Sequence, residues 1–296
     1  MHILVTGGTG FIGRHFIQLR LAEGDRVTCL TRNPARAKQL FQNRVVAIRT
    51  LDDVSEPVEA VINLAGAPIA DRRWSAARKQ LLRESRIGLT AELVHWISQQ
   101  ASPPSVLISG SAIGFYGSQL LDTPLAETGD FQPGFTHQLC ADWEEAALQA
   151  ETCGVRVCLI RTGVVMGNGG ALSKMLPAFR FGLGGPIGSG QQWMSWIALE
   201  DHLRAINHLL THPDASGAYN LTAPHAVRNS EFAQILGSVL HRPALLRMPP
   251  FVIKLMLGEG AELLLEGQRV YPQRLLDAGF QFHHPTLETA LKQVLD

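Results

Sequence analysis

Short apolar runs alternate with amphipathic stretches through the first half of the chain. His2–Thr6 (HILVT) reads as a buried strand, and residues 11–23 follow as a helix with Phe11, Ile12, Phe16, Leu19 and Ala22 toward one face. Gly24 closes that helix before a second strand at Arg26–Leu30 (RVTCL). Pro34 opens a short helix, and residues 45–48 and 60–64 supply a third and a fourth strand. A long helical pattern over 75–100 leads through Pro103 and Pro104 to a fifth strand at 105–109. Residues 135–151 are helical again, and 155–160 form a sixth strand. Such alternation, with strands apolar on both sides, predicts an α/β fold: a Rossmann-type doubly wound parallel sheet covered by helices on both faces. Ligands in this architecture bind beyond the carboxyl ends of the strands, where the strand order reverses.

The pattern changes after Gly163. Residues 167–190 are rich in glycine and contain Pro177 and Pro186, which predicts a long mobile loop around a short helix near 172–181. Helix and strand resume at 200–210 and Gly217–Leu221. From Val227 onward, short helical patterns are broken by Pro243, Pro249, Pro250, Pro272 and Pro285. The expected organisation is a Rossmann domain over 1–165, to which 196–221 returns. A smaller, mainly helical carboxyl-terminal lobe on the substrate side is built from 166–195 and 222–296.

Composition narrows the partners. Hydrophobic residues make up 46% of the 296 and charged residues 18%, which fits a globular protein rather than a disordered one. The formal net charge is +0 and no basic run is present, so a nucleic-acid partner is not expected. Cys29, Cys140, Cys153 and Cys158 form no C-x-x-C pair, which argues against zinc or redox motifs and for free thiols in a reducing compartment. The opening MHILVTGGTG lacks a signal-peptide core, and no apolar stretch approaches the ~20 residues a membrane helix needs. A soluble, cytoplasmic protein without metal or membrane partner is expected.

Candidate chemistry gathers at the strand ends. Gly7, Gly8, Thr9, Gly10, Phe11, Ile12 and Gly13 set glycines at G-x-x-G-x-x-G between the first strand and the first helix. Gly7 suits a tight turn, Gly10 a close approach of backbone to a pyrophosphate, and Gly13 close helix–strand packing. Helix amides near Phe11 and Ile12 would then meet the phosphates, although an ordinary glycine turn is the plainer alternative. A site for NAD carries an acid about 20 residues on, at the end of the second strand, to bind the ribose. Thr31 and Arg32 stand there instead, with Arg36 and Lys38 close behind. A guanidinium can pair with a 2′-phosphate, so NADP(H) is favoured over NAD; the alternative is a solvated surface arginine. Leu64, Ala65 and Gly66 would let the fourth strand's end lie against the adenosine ribose and pyrophosphate, or make a tight turn into a helix.

Together these residues resemble the extended short-chain dehydrogenases/reductases, the superfamily of nucleotide-sugar epimerases and dehydratases. The likeness extends to Ser109-Gly110-Ser111-Ala112 with Tyr116-Gly117, to the run from Arg161 to Gly167, and to the run from Trp196 to Asp201. Pro68-Ile69-Ala70, Arg73-Trp74, Ser85-Arg86, Trp143-Glu144, the glycine-rich 182–190 and Leu265-Glu266-Gly267-Gln268 are similar to the YfcH-type epimerase family, an atypical branch. The resemblance covers essentially the whole chain. It implies NADP binding on a Rossmann domain and Ser111 as the group that orients a substrate oxygen. Arg86, in a segment that borders the cofactor in relatives, would reach the pyrophosphate or ribose or else lie on the surface, and Val164 and Val165 would line the nicotinamide face or pack in the core. A homodimer through helices flanking the sheet is common in that superfamily.

One departure bears on catalysis. Active relatives use Tyr-x-x-x-Lys on the helix after the fifth strand, where the lysine lowers the tyrosine pKa and holds the nicotinamide ribose. Alignment through Trp143-Glu144 puts Thr136 and Cys140 at those positions. Tyr116, His137 and Cys140 are conceivable replacements, each with a packing or surface role as its plainer reading, and the proton donor stays unassigned. Two functions therefore remain open. One is an NADP-dependent oxidoreductase or epimerase-like enzyme acting on a small or nucleotide-linked substrate, and the other is a non-catalytic NADP(H)-binding sensor or regulator. Trp193, Met194 and Trp196 would give an apolar substrate wall or a packed hinge, and Glu266, Gln268 and Arg269 polar contacts.

Overall fold

Apolar strands buried on both faces pair as the alternation requires. The computed structural model describes residues 1–119 and 122–295. In chain order the strands are β1 (His2–Thr6), β2 (Arg26–Leu30), β3 (Val46–Ile48), β4 (Ala60–Asn63), β5 (Val106–Ala112), β6 (Arg156–Thr162), β7 (Val164–Met166), β8 (Trp193–Met194), β9 (Trp196–Ala198), β10 (Gly217–Leu221) and β11 (Val227–Arg228). The helices are α1 (Phe11–Ala22), α2 (Pro34–Leu40), α3 (Ala76–Arg83), α4 (Leu89–Ser98), α5 (Phe135–Leu148), α6 (Gly170–Arg180) and α7 (Leu199–Thr211). The remainder are α8 (Asn229–Val239), α9 (Pro250–Leu257), α10 (Glu262–Leu265), α11 (Gln273–Asp277) and α12 (Leu287–Leu295).

The main sheet runs β10-β6-β5-β4-β1-β2-β3, all parallel. Its order reverses between β1 and β4, which opens the crevice there. Period-2 alternation divides the strand side chains between two cores. Ile3, Val5, Ile62 and Ile108 pack with Phe16, Ile17, Ile206 and Leu209 of α1 and α7. Leu4, Val61, Leu107 and Val157 pack with Leu93 and Ile97 of α4 and Ala147 of α5 on the opposite face. A third core, with Leu172, Leu176, Phe232, Leu236 and Leu291, belongs to the smaller, mostly helical carboxyl-terminal lobe. The parallel ribbon of β7 and β9 is its wall against the sheet. Val165 and Ile197 face the sheet core, whereas Met166, Trp196 and Ala198 face the lobe core.

Three expectations change. The fifth and sixth strands run beyond 109 and 160, pairing as far as Ala112 with Thr162, so Ser111 and Arg161 lie within strands rather than after them. The expected helix over 75–100 is continuous only through a π turn at Glu84–Gly88, which joins α3 to α4. Residues 182–190 are not a free loop. Leu246 N donates to Gly184 O (3.2 Å), Met248 N to Pro186 O (2.9 Å) and Gly188 N to Met248 O (2.9 Å), which fixes the segment along the lobe.

Candidate functional site

The chain leaves β1 through Gly7, whose φ of 67° is strained for any residue with a side chain. A Cβ on Gly7 would lie 2.5 Å from Leu64 O, and one on Gly13 would lie 2.4 Å from Gly7 O. Turn, helix start and β4 end therefore interlock only with glycine at both positions. Gly10 N donates to Gly7 O (2.9 Å) and closes the turn. No side chain caps α1, and its first turn carries no acid. The first-turn amides and the positive end of the helix dipole are thus left for an anion. Thr9 and Ile12 are half-buried and Gly10 is exposed. The Phe11 ring lies against Gly167, Gly169 and Gly170, so its side chain anchors the connection after β7 while its amide faces the turn.

Arg32 is exposed just beyond β2 and, among the described residues, has no carboxylate within ion-pair distance. Thr31 N donates to Ile48 O (2.9 Å), and Thr31 Oγ1 accepts from Asn33 N (3.3 Å), which sets the chain's direction there. Arg49, after β3, donates to Arg32 O (3.5 Å) and brings a second cation to this corner. Across the crevice, Ala65 N donates to Thr6 Oγ1 (3.2 Å), and Thr6 Oγ1 donates to Asn63 Oδ1 (2.7 Å). These bonds hold Leu64, Ala65 and Gly66 beside the glycine turn. Arg86, on the π turn, covers Gly66: a Cβ there would lie 3.0 Å from the guanidinium carbon. Val165 packs its side chain in the sheet core.

Further along, β5 sets Ser111 in register with Arg161 of β6. Ser111 Oγ donates to Glu144 Oε1 at 2.6 Å. Glu144, on α5, takes Arg161 in a fork, with Nε to Oε1 at 2.9 Å and Nη2 to Oε2 at 2.8 Å. Arg161 Nη1 continues to Tyr116 OH (3.1 Å) and Glu127 O (2.9 Å), and Tyr116 OH donates to Asn220 Oδ1 (2.7 Å). All five side chains are buried. Burial works against the Arg161 charge, but the hydrogen bonds and charge of Glu144 outweigh it, and its pKa stays above the ordinary value. The Ser111 proton is thereby committed to a carboxylate, and the oxygen's lone pairs remain to accept a hydrogen bond.

The model for the "NAD dependent epimerase/dehydratase family" matches residues 3–222, and one called "Domain of unknown function (DUF1731)" matches 248–294. The chain is 41% identical to the epimerase family protein SDR39U1 homolog, chloroplastic, of Arabidopsis thaliana, over 100% of this chain and 87% of that one. This chain belongs to the NAD-dependent epimerase/dehydratase family. Epimerase family protein YfhF of Bacillus subtilis is 35% identical over 100% of this chain and 98% of its own length. A crystal structure of human epimerase family protein SDR39U1 (isoform 2) with NADPH superposes with TM-score 0.89 at 34% identity, covering 99% of each chain. The Thermotoga maritima UDP-glucose 4-epimerase, at 18% identity and TM-score 0.80, shares the fold.

Within this family member, α5 turns Thr136, Cys140 and Glu144 toward the end of β5. Gly114 lies against Thr136 Cβ and Cys140 Sγ, while Gly110 lies against Trp143. Burial, then the Glu144 charge, push the Cys140 thiol up to about 12, so it is a protonated packing group and not a nucleophile. Tyr116 is fully buried, with its hydroxyl held by Arg161 and Asn220. His137 is turned aside, its Nδ1 on Phe115 O (2.5 Å) and its ring stacked on Phe131 at 3.9 Å.

Of the three residues read as a substrate wall or a packed hinge, Trp196 and Trp193 are both held by packing. Trp196 is buried in the lobe core with Nε1 on His225 O (3.0 Å), and the Trp193 ring is covered by Arg228 and Arg269. Gln268 Nε2 donates to Gly117 O (2.6 Å) and Arg269 Nη1 to Asp122 O (2.9 Å), so both tie the lobe to the loop after β5. Sequence reasoning gave Glu144 no role. The signal was there: Thr136, Cys140 and Glu144 recur every four residues on the buried face of α5, and an acid at such a position requires a buried partner.

Proposed function

We propose that this chain binds NADP(H) across the crevice between β1 and β4. It acts there as an oxidoreductase or epimerase-like enzyme of the YfcH type on a small or nucleotide-linked substrate. One observation carries the reading: α1 starts at an uncapped glycine turn, opposite a β2 end that bears Arg32 and no carboxylate. The fit to the cofactor is good. The α1 amides suit a pyrophosphate, Thr31 and Arg32 suit a phosphorylated adenosine ribose, and Leu64, Ala65 and Gly66 bring the chain after β4 beside the glycine turn. The 34% identical human relative solved with NADPH supports the same choice.

Bound NADP(H) supplies a hydride at the nicotinamide C4. Ser111, held by Glu144, would accept a hydrogen bond from a substrate hydroxyl and fix its direction. A nucleotide domain over 1–165 with 196–221, and a substrate-side lobe from the remainder, is the division this reading uses, with the β7–β9 ribbon between them. The four free cysteines suit a reducing cytoplasm.

A second reading, NADP(H) binding without turnover, is favoured by Thr136 and Cys140 standing where active relatives carry tyrosine and lysine, and by a serine already committed to a structural ion pair. Calorimetry tests the shared premise. NADPH should bind more tightly than NADH, and Arg32→Ala should weaken NADPH about tenfold or more, the scale of a charge-assisted hydrogen bond, with NADH unchanged. Absence of NADPH binding removes both readings. Turnover of carbonyl compounds or sugar nucleotides by the wild type, lost in Ser111→Ala that keeps its fold, selects the enzyme. Tight binding with no turnover selects the sensor.

A further inference from the structure

The helix after β4 carries four cations: Arg78, Lys79, Arg83 and Arg86. Two of them find acids, since Lys79 pairs with Glu259 and Arg83 with Asp142. The other two find only neutral oxygens. Arg78 Nη2 donates to Pro68 O, and Arg86 Nη2 donates to Ala67 O at 3.0 Å. Those carbonyls belong to consecutive residues, so both guanidiniums reach the same short stretch of chain after β4. Among the described residues, neither has a carboxylate within ion-pair distance. Arg86 Nη1 adds only long contacts, to Leu82 O (3.3 Å) and Ser85 Oγ (3.5 Å), and Arg78 Nε is buried with no partner.

The π turn makes this juxtaposition. On a regular helix, eight residues rotate Arg86 about 80° past Arg78; one residue absorbed by the wider turn leaves about 20°. The pair lies one strand further along the crevice than the glycine turn. Arg86 covers Gly66 after β4 and faces the Trp143 ring, 5.4 Å away, beneath β5. Burial, and behind it the Arg78 charge, lower the Arg86 pKa. Two adjoining guanidiniums partly removed from water without a counter-charge are a net cost to the fold, and an anion between them would offset it.

We propose that Arg78 and Arg86 form a second anion-binding site, separate from the amides of α1, for a phosphate or carboxylate group of a ligand lying along the crevice. The site stands on its own geometry. Which molecule brings the anion, the cofactor or its co-substrate, rests on the NADP(H) reading above.

Inorganic pyrophosphate is the probe, titrated calorimetrically into the full chain with and without saturating NADPH. Arg78→Gln and Arg86→Gln should each weaken pyrophosphate about tenfold or more, and Arg86→Lys should restore part of the loss, because the charge remains while the fork is gone. A cofactor source makes NADPH and pyrophosphate compete, and NADPH itself weakens in the glutamine variants. A co-substrate source lets pyrophosphate bind the NADPH-loaded protein, with NADPH affinity unchanged by the variants. Should a glutamine variant fail to fold, Arg78→Lys and Arg86→Lys replace it, and clear weakening of the probe is again required. Pyrophosphate and NADPH affinities both unchanged in the variants, or no pyrophosphate binding and no variant effect on NADPH, overturn the proposal. If the wild type ignores NADPH yet binds pyrophosphate through these arginines, the nucleotide reading fails and the anion site stands.

Discussion

Around Ser111 a hydroxyl, a carboxylate and a guanidinium share one buried chain of hydrogen bonds, and removing a single member leaves a desolvated charge behind. Glu144→Leu strands Arg161 and should cost about 3–5 kcal/mol, measured by denaturant unfolding. Replacing both partners, as Glu144→Leu with Arg161→Met, should cost clearly less than the two single changes added together. Simple additivity would refute the coupling. A residue-scale test of the glycine turn is Gly13→Ala, whose new Cβ meets Gly7 O at 2.4 Å. The helix start must then shift, and NADPH should bind about tenfold more weakly or worse, an energy of about 1.4 kcal/mol. Gly7 to Gly13 and Arg32 were legible because glycine spacing and charge type carry their meaning locally. The partner of Arg161 was not, because Glu144 lies on another element.

Elements show the same division. Runs such as HILVT and AVIN announce strands, yet the sequence reading stopped β5 and β6 short of Ser111 and Arg161, since Gly110 and buried polar residues look like strand ends. Pairing continues because Glu144 satisfies both. A π turn is a one-residue insertion and is invisible to helical periodicity. The lobe is fastened by the start of α7. Asp201, fully buried, accepts His283 N and His284 N at 2.8 Å each and Arg204 Nη1 at 3.0 Å. Asp201→Ala leaves buried amides unsatisfied and should cost about 2–4 kcal/mol. Limited proteolysis should then open the segment from His283 onward first. Cleavage unchanged from wild type would show that the clamp does not hold the lobe.

At the scale of the molecule, the β7–β9 ribbon belongs to two cores at once. Sheet and lobe should therefore unfold in one transition seen alike by far-ultraviolet dichroism and tryptophan fluorescence; separate midpoints would contradict a shared wall. Acid should destabilise this unit. Burial drops the His202 pKa to about 3 from 6.5, so between those values the unfolded chain binds a proton that the fold does not. Its contribution is complete above about pH 6.5 and is lost as pH falls toward 3. Glu200, lowered to about 2 chiefly by its hydrogen bond from His283, acts in the same sense over a more acidic range, from about 4.5 down. Tm should fall from pH 7 to pH 4.5. His202→Gln, which can still share a hydrogen bond with Thr162, should flatten that slope, and an undiminished slope would reject His202 as its source.

Sequence alone determined the strand–helix alternation, the parallel doubly wound sheet, the glycine turn and the cation at the end of β2, because each is written in contiguous residues within a turn or two of one another. Tertiary structure decided what distant segments do together. It buried Ser111 against Glu144 and Arg161, pinned 182–190 along 246–248, and turned Arg78 and Arg86 onto neighbouring carbonyls. Burial and the pairing of charges depend on which elements meet, and local pattern holds no record of that.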